Sequence, residues 1–230
     1  MNEAEWLAER HCSQGMLWPL QDTVKAARTK AGRRKCRLFA CGCSRLLWEH
    51  LHDPRLRQAV EVAQRHADGL ASKQELAQAR EGIRGLLAGM YDSQSTRPTQ
   101  RTAAWLASST TEERAFSAML KVTAIPVPLG GGYKEHQAVD EAILCELLRC
   151  VFGNPFRPVA IAPGWKSAND RAAAKIAQSI YDERAFNRLP LLADALEDAG
   201  CDNPDVLAHC RGGGRHIPGC WVVDAILGKG

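Results

Sequence analysis

Apolar residues recur at steps of three and four over long stretches of this sequence, a spacing that places them on one face of an α-helix. The clearest stretch covers residues 34–51, where Cys36, Phe39, Cys43 and Leu47 share a face. Aromatic residues make up only 6% of the chain, whereas β-strands favour aromatic and β-branched side chains. The pattern therefore predicts an all-α protein.

Several helix ends carry local signals of their own. Asp53 precedes a proline and can cap a helix that begins there. Ser72 and Glu75 have the spacing of a capping box, in which each side chain binds the other residue's backbone N–H. Gly200 is placed to end one helix in the left-handed conformation, and Asn203, again before a proline, is placed to begin the next.

Proline and glycine interrupt the helical pattern. Gly32 is predicted to end a helix that begins near residue 15. Residues 126–132 contain two prolines and three glycines, and a strong helix is predicted after them over residues 134–152. Three further prolines lie within residues 153–164. The fold predicted from these breaks is an irregular array of α-hairpins with Pro/Gly-rich connections.

The length of 230 residues suits one large domain or two small ones. Residues 91–101 are polar and contain a proline, so they are predicted to form a linker or surface loop. They would separate an N-terminal helical half, residues 1–90, from a C-terminal helical half, residues 102–230. The two halves can also form one continuous domain.

One segment is strongly basic, although the whole chain has a net charge of only +4. Between residues 25 and 37 there is no acidic residue, and the basic residues are Lys25, Arg28, Lys30, Arg33, Arg34, Lys35 and Arg37. Such runs usually form a solvated face, which is the interpretation we favour. The alternative is a patch that binds the phosphates of a nucleic acid or an acidic protein.

The nine cysteines are odd in number and irregular in spacing. The N-terminal residues contain no apolar leader, and no stretch reaches the roughly 20 apolar residues of a membrane span. We therefore expect reduced thiols that pack in the core of a cytoplasmic protein without a membrane partner.

Four C-terminal residues could together bind zinc: Cys201, His209, His216 and Cys220. Zinc prefers four nitrogen or sulfur ligands in a tetrahedron. The spacing matches no standard zinc finger and contains no CxxC pair. A helix-end histidine and a buried thiol explain the same residues, so packing is the favoured interpretation. No cofactor is required by the sequence, and zinc stays open as an alternative.

Five blocks of the sequence resemble a large paralogous bacterial family without an established function. They are EAEWL, RLFACGCSRLLW, FGNPFRPV, AQSIYDERAFNRLPLLADALEDAGC and HCRGGGRHIPGCWVVDAILGKG. The resemblance implies a shared helical fold and supplies no catalytic residues that could be assigned to this chain. By association, it favours a common scaffold or interaction module over a specialised enzyme.

The catalytic motifs we searched for are absent, including HExxH, GxSxG and a phosphate-binding loop at the glycines of residues 130–132. No catalytic residue is predicted, and whether the chain is an enzyme stays open. The leading expectation is a helical protein-interaction or scaffold module that binds a protein partner. The alternatives are a nucleic-acid-binding protein that uses the basic segment and a structural zinc-binding domain at the C-terminus.

Overall fold

The computed structural model describes residues 1–92, 96–124 and 140–229. Within these ranges the chain is all-α, as the sequence predicts, and has no β-strand. The α-helices are α1 (Glu3–Ala8), α2 (Leu17–Asp22), α3 (Lys30–Arg45), α4 (Pro54–Ala67), α5 (Lys73–Asp92), α6 (Pro98–Thr110), α7 (Ala115–Thr123), α8 (Glu141–Phe152), α9 (Pro163–Glu183), α10 (Leu189–Asp198), α11 (Pro204–Arg211) and α12 (Trp221–Leu227). Two short 3₁₀ helices cover Trp48–His50 and Phe186–Arg188.

Helix α3 lies at the centre of the fold and packs against α4, α6, α7 and α8. The prediction that Gly32 ends a helix was wrong, because this glycine lies in the first turn of α3. Thr29 caps the helix, and its Oγ1 accepts a hydrogen bond from the Gly32 backbone N–H at 2.9 Å. A Cβ at position 32 would lie 2.6 Å from the Cα of Ala26, so glycine is required by the close approach of the preceding backbone.

The local capping predictions are confirmed. The Asp53 side chain accepts a backbone N–H of α4, and the Asn203 side chain accepts two backbone N–H groups of α11. The Ser72 backbone N–H donates to Glu75 at 2.7 Å, and the Glu75 N–H donates to the Ser72 hydroxyl at 3.1 Å. Gly200 follows α10 with a φ of +83°. These signals depend on neighbouring residues alone, which is why the sequence predicts them well.

Two arginines satisfy the carbonyl groups at the C-terminal end of α6. Arg37 of α3 donates to the carbonyl oxygens of Thr110 and Glu112, and Arg80 of α5 donates to that of Thr111. The last carbonyls of a helix have no partner within the helix and carry partial negative charge. The two guanidinium groups therefore hold α6 between α3 and α5.

The two predicted halves share one hydrophobic core, which contains buried residues from α1 to α12. Helix α6 packs against α3, α4 and α5, and α8 packs against α3. The residues predicted as a linker are partly helical, since α5 extends to Asp92 and α6 begins at Pro98. Residues 93–95 and 125–139 lie outside the described ranges. The whole break predicted at 126–132 falls there, and so do residues 134–139 of the helix predicted over 134–152.

A buried ion network joins the last helix to the first half of the chain. The Arg34 guanidinium of α3 donates to Asp224 of α12, to Asp68 at 2.9 Å and to the Tyr181 hydroxyl of α9 at 2.9 Å. The Tyr181 hydroxyl donates in turn to Asp68 at 2.6 Å. This network places α12 beside α3, next to the connection between α11 and α12.

Among the helices described, none combines the length and the apolar character required to cross a lipid bilayer.

Candidate metal centre

Four cysteine and histidine side chains converge where the C-terminal segments meet α8. They are Cys150 near the end of α8, His209 of α11, His216 of the connection after α11, and Cys220 at the start of α12. Each offers one donor atom, and the four atoms all lie within 4.8 Å of one another. We call these four residues the metal-centre cluster.

Local structure explains how each donor reaches this point. Helix α11 begins at its Asn203 cap, which places His209 in the last turn of a short helix. The connection then returns towards α3, where the Ile217 side chain packs against Gly42. Cys220 immediately precedes α12, whose position is fixed by the buried network of Arg34. Cys150 comes from the apolar face of α8, which is fixed by the core.

The distances within the cluster are close to those of a tetrahedral zinc site. The Nε2 of His209 lies 3.2 Å from the Sγ of Cys220, and the Nδ1 of His216 lies 3.6 Å from the Sγ of Cys150. Zinc–nitrogen bonds of 2.0–2.1 Å and zinc–sulfur bonds of 2.3 Å give ligand–ligand separations of about 3.3–3.8 Å in a tetrahedron. The widest donor separation is up to 4.8 Å and would have to shorten by about 1 Å on binding zinc.

The cluster is largely shielded from solvent. Both thiols are buried, with Cys220 fully inaccessible, and both imidazole rings are partly buried. The His209 ring packs edge-on against His216 and lies 5.3 Å from the Trp221 ring. The Nε2 of His216 is buried and has no hydrogen-bond partner among the described residues. An unsatisfied buried imidazole nitrogen is unfavourable, and a metal ion bound through Nδ1 would leave this nitrogen unpaired.

The two thiols of the cluster have opposite acidities. Burial opposes ionisation of Cys220, but the hydrogen bond from Cys150 and the adjacent His209 lower the pKa of Cys220 well below its usual range. The hydrogen bond to Cys220, together with burial, raises the pKa of Cys150 well above its usual range. Ordinary core cysteines behave differently, since burial raises the pKa of Cys36 and of Cys41 to about 12. One thiolate is therefore already favoured, and this is the form that binds metals.

The cluster contains three of the four residues considered from the sequence, and Cys150 joins them in place of Cys201. Cys201 is buried in the connection after α10, where burial raises the pKa of its thiol. Its position between two short helices keeps it out of the cluster. Cys150 gave no local signal, because it lies on the apolar stripe of α8 and has the pattern of a core cysteine.

The structure divides the basic segment into two sets. Four of its side chains are exposed: Lys25, Arg28, Lys30 and Arg33. Arg34 binds the buried carboxylates, Arg37 is buried against the end of α6, and Lys35 is partly buried. The surface that could meet phosphate groups is therefore smaller than the sequence implies.

The nine cysteines all lie within the described ranges, form no disulfide there, and are buried except for Cys12. Comparison with family models, with curated proteins and with solved structures gave no match for this chain. Its function is therefore inferred from the side chains and distances described above.

Proposed function

We propose that this chain is a zinc-binding helical protein in which the metal has a structural role. The observation that carries the proposal is the convergence of the four donor atoms of the metal-centre cluster within 4.8 Å. They come from α8, α11, the connection after α11 and the start of α12. No local sequence pattern brings them together, so their convergence is a property of the fold.

The chemistry of the donors selects zinc. Two thiolates and two imidazoles are the donor set of many structural zinc sites, whereas calcium and magnesium require oxygen ligands. Two thiolates also cancel the charge of a divalent ion, so the completed site is neutral. A neutral site can be buried without the large desolvation cost of an unpaired charge.

The number of protein ligands favours a structural role. Four protein ligands fill the tetrahedron, whereas a catalytic zinc keeps one position open for water or substrate. The ion would tie α11 and α12 to α8, and so to the hydrophobic core. A protein stabilised in this way can present its helical surface to a protein partner, as the sequence and its resemblance lead us to expect. Nine reduced thiols suit a reducing compartment such as the cytoplasm.

Metal content tests the proposal directly. The protein is purified without added metal and analysed by inductively coupled plasma mass spectrometry, before and after incubation with zinc. We expect about one zinc per chain, and loss of zinc in Cys150→Ser and Cys220→Ser. Cys201→Ser is the matched control, because it removes a buried thiol outside the cluster. The control should retain full zinc content.

Substitution with cobalt tests the ligand set. Tetrahedral cobalt bound by two thiolates gives intense visible bands together with a thiolate-to-metal charge-transfer band, and we expect both in the wild type. They should be absent from Cys150→Ser and unchanged in Cys201→Ser. A wild type that binds neither metal would overturn the proposal, and so would a Cys150→Ser variant that binds zinc as tightly as the wild type.

A further inference from the structure

A second candidate site lies beside the Trp221 ring. The cavity has a volume of about 450 Å³ and is bounded by α3, the end of α8, the connection before α9 and helix α12. Its walls include Lys35, Phe152, Val159, Ile161, Lys166 and Trp221. This volume falls in the range of about 300–1,000 Å³ that is common for small-molecule sites.

Lys35 is the charged residue on the α3 wall of the cavity. No carboxylate of the described residues forms an ion pair with its ammonium group, although its side chain is partly buried. The nearest buried carboxylate, that of Asp224, is bound by Arg34. Burial lowers the pKa of Lys35, because the loss of hydration outweighs the attraction of Asp224, Cys220 and Cys150 in the absence of a direct ion-pair partner. An anion placed in the cavity would supply that partner.

The other charges around the cavity leave it positive. Arg157 is already paired, with Glu3 at 3.3 Å and with Asp205 at 3.2 Å. Lys166, which also lines the cavity, has no ion pair within the described ranges. Among the described residues that line the cavity, Asp205 is the only one with a carboxylate, and this carboxylate forms an ion pair with Arg157. The two lysines therefore define the charge that a ligand would meet.

Much of the remaining wall is apolar, although Asn154 also lines the cavity. Phe152, Val159 and Ile161 line the cavity together with the Trp221 ring. Because ligand sites combine apolar walls with a few polar groups that orient the ligand, these walls suit an apolar or aromatic body.

We propose that this cavity binds a small organic anion, with its anionic group on Lys35 and its apolar or aromatic body against Trp221. The chemical class is a molecule with one carboxylate, sulfonate or phosphate attached to an apolar body. Lys35 is outside the metal-centre cluster, so this proposal does not rest on zinc binding. Since Trp221 follows a residue of that cluster, titrations use protein whose metal content has been measured.

The probe is naphthalene sulfonate, and the control ligand is its uncharged analogue naphthalene methanol. Binding is measured by isothermal titration calorimetry and by quenching of tryptophan fluorescence. We expect saturable binding of the sulfonate at a single site, weakening with added salt, and binding of the neutral alcohol that is weaker by about tenfold or more. Lys35→Met should weaken sulfonate binding by a similar factor and leave binding of the alcohol unchanged.

Lys30→Met is the matched control, because Lys30 is an exposed lysine on the same helix outside the cavity. It should bind the sulfonate as the wild type does. A second variant, Ile161→Trp, fills the cavity and should abolish binding while Lys35 is retained; circular dichroism checks that each variant is folded. The proposal is overturned when the sulfonate and the alcohol bind the wild type equally, when the sulfonate does not saturate, or when a folded Lys35→Met binds as the wild type does.

Discussion

Replacement of Arg37 by methionine removes a charged side chain that is only 3% exposed. Its guanidinium group donates to the carbonyl oxygens of Thr110, of Glu112 at 2.8 Å and of Glu113 at 3.2 Å. These carbonyls lie at the end of α6 and in the turn that leads to α7. Methionine fills a similar volume but donates no hydrogen bond, so the carbonyls lose their buried partner.

The magnitude follows from opposing effects. Hydrogen bonds from a charged donor contribute about 1.5–3 kcal/mol each, which sets an upper limit of about 9 kcal/mol for the three bonds. Methionine also avoids the cost of burying a guanidinium ion, which is several kcal/mol. We therefore expect Arg37→Met to lower the free energy of unfolding by about 3–5 kcal/mol.

Urea unfolding followed by circular dichroism measures this change. Arg33→Met is the control, because Arg33 is exposed on the same helix and, among the described residues, its side chain donates only to the carbonyl of Arg28. The control should change the free energy of unfolding by less than about 0.5 kcal/mol. A loss below about 1 kcal/mol for Arg37→Met would refute the reasoning, since the α6 carbonyls would then not depend on the arginine.

Three further outcomes are expected. A strong chelator should lower the melting temperature of the wild type, followed by circular dichroism, and an unchanged value in zinc-loaded protein would contradict a structural metal. Burial opposes ionisation of Glu61, but hydrogen bonds from Arg184 and Arg45 lower its pKa. A lowered pKa stabilises the fold above the unfolded value, and this contribution is lost as the pH falls through the folded value. Glu61→Gln should therefore lower the free energy of unfolding by up to about 1 kcal/mol at neutral pH, and the difference from the wild type should become smaller in acid. Urea unfolding at several pH values measures this difference, and a difference that does not change with pH would count against the reasoning. Gly42→Ala would place a Cβ 2.3 Å from the Cδ1 of Ile217. This variant should lower the free energy of unfolding by about 1–3 kcal/mol, measured by thermal unfolding, and should weaken zinc binding. A variant as stable as the wild type would show that the connection containing Ile217 moves aside without cost.

The helical character and several helix ends could be predicted because their signals are local. The Ser72 and Glu75 capping box and the Asn203 cap act within three residues. Gly32 was misinterpreted because the reason for a glycine there is the approach of Ala26, which only the folded chain shows. Sequence spacing describes a helix face, but it does not show which backbone lies against that face.

The same limit applies to predicting the metal-centre cluster, because sequence spacing does not show which distant side chains come together. His209, His216 and Cys220 lie within twelve residues of one another, and this spacing is why the sequence analysis considers them as zinc ligands. Cys150 lies 66 residues before His216 and occupies an apolar helix face, where a cysteine has the ordinary pattern of a core residue. Cys201 was nearer in sequence but lies in a different connection. Closeness along the chain does not identify the fourth member of the cluster.

The separation of Cys150 from the C-terminal ligands links the stability of the fold to the supply of metal. An unfolded chain does not hold donors 66 residues apart in one place, so the proposed zinc binds the folded form in strong preference. Each tenfold rise in free zinc above the dissociation constant then adds about 1.4 kcal/mol to the free energy of unfolding. A change of that size can alter the cellular abundance of a protein several-fold. The amount of folded chain would therefore follow the zinc status of the cell.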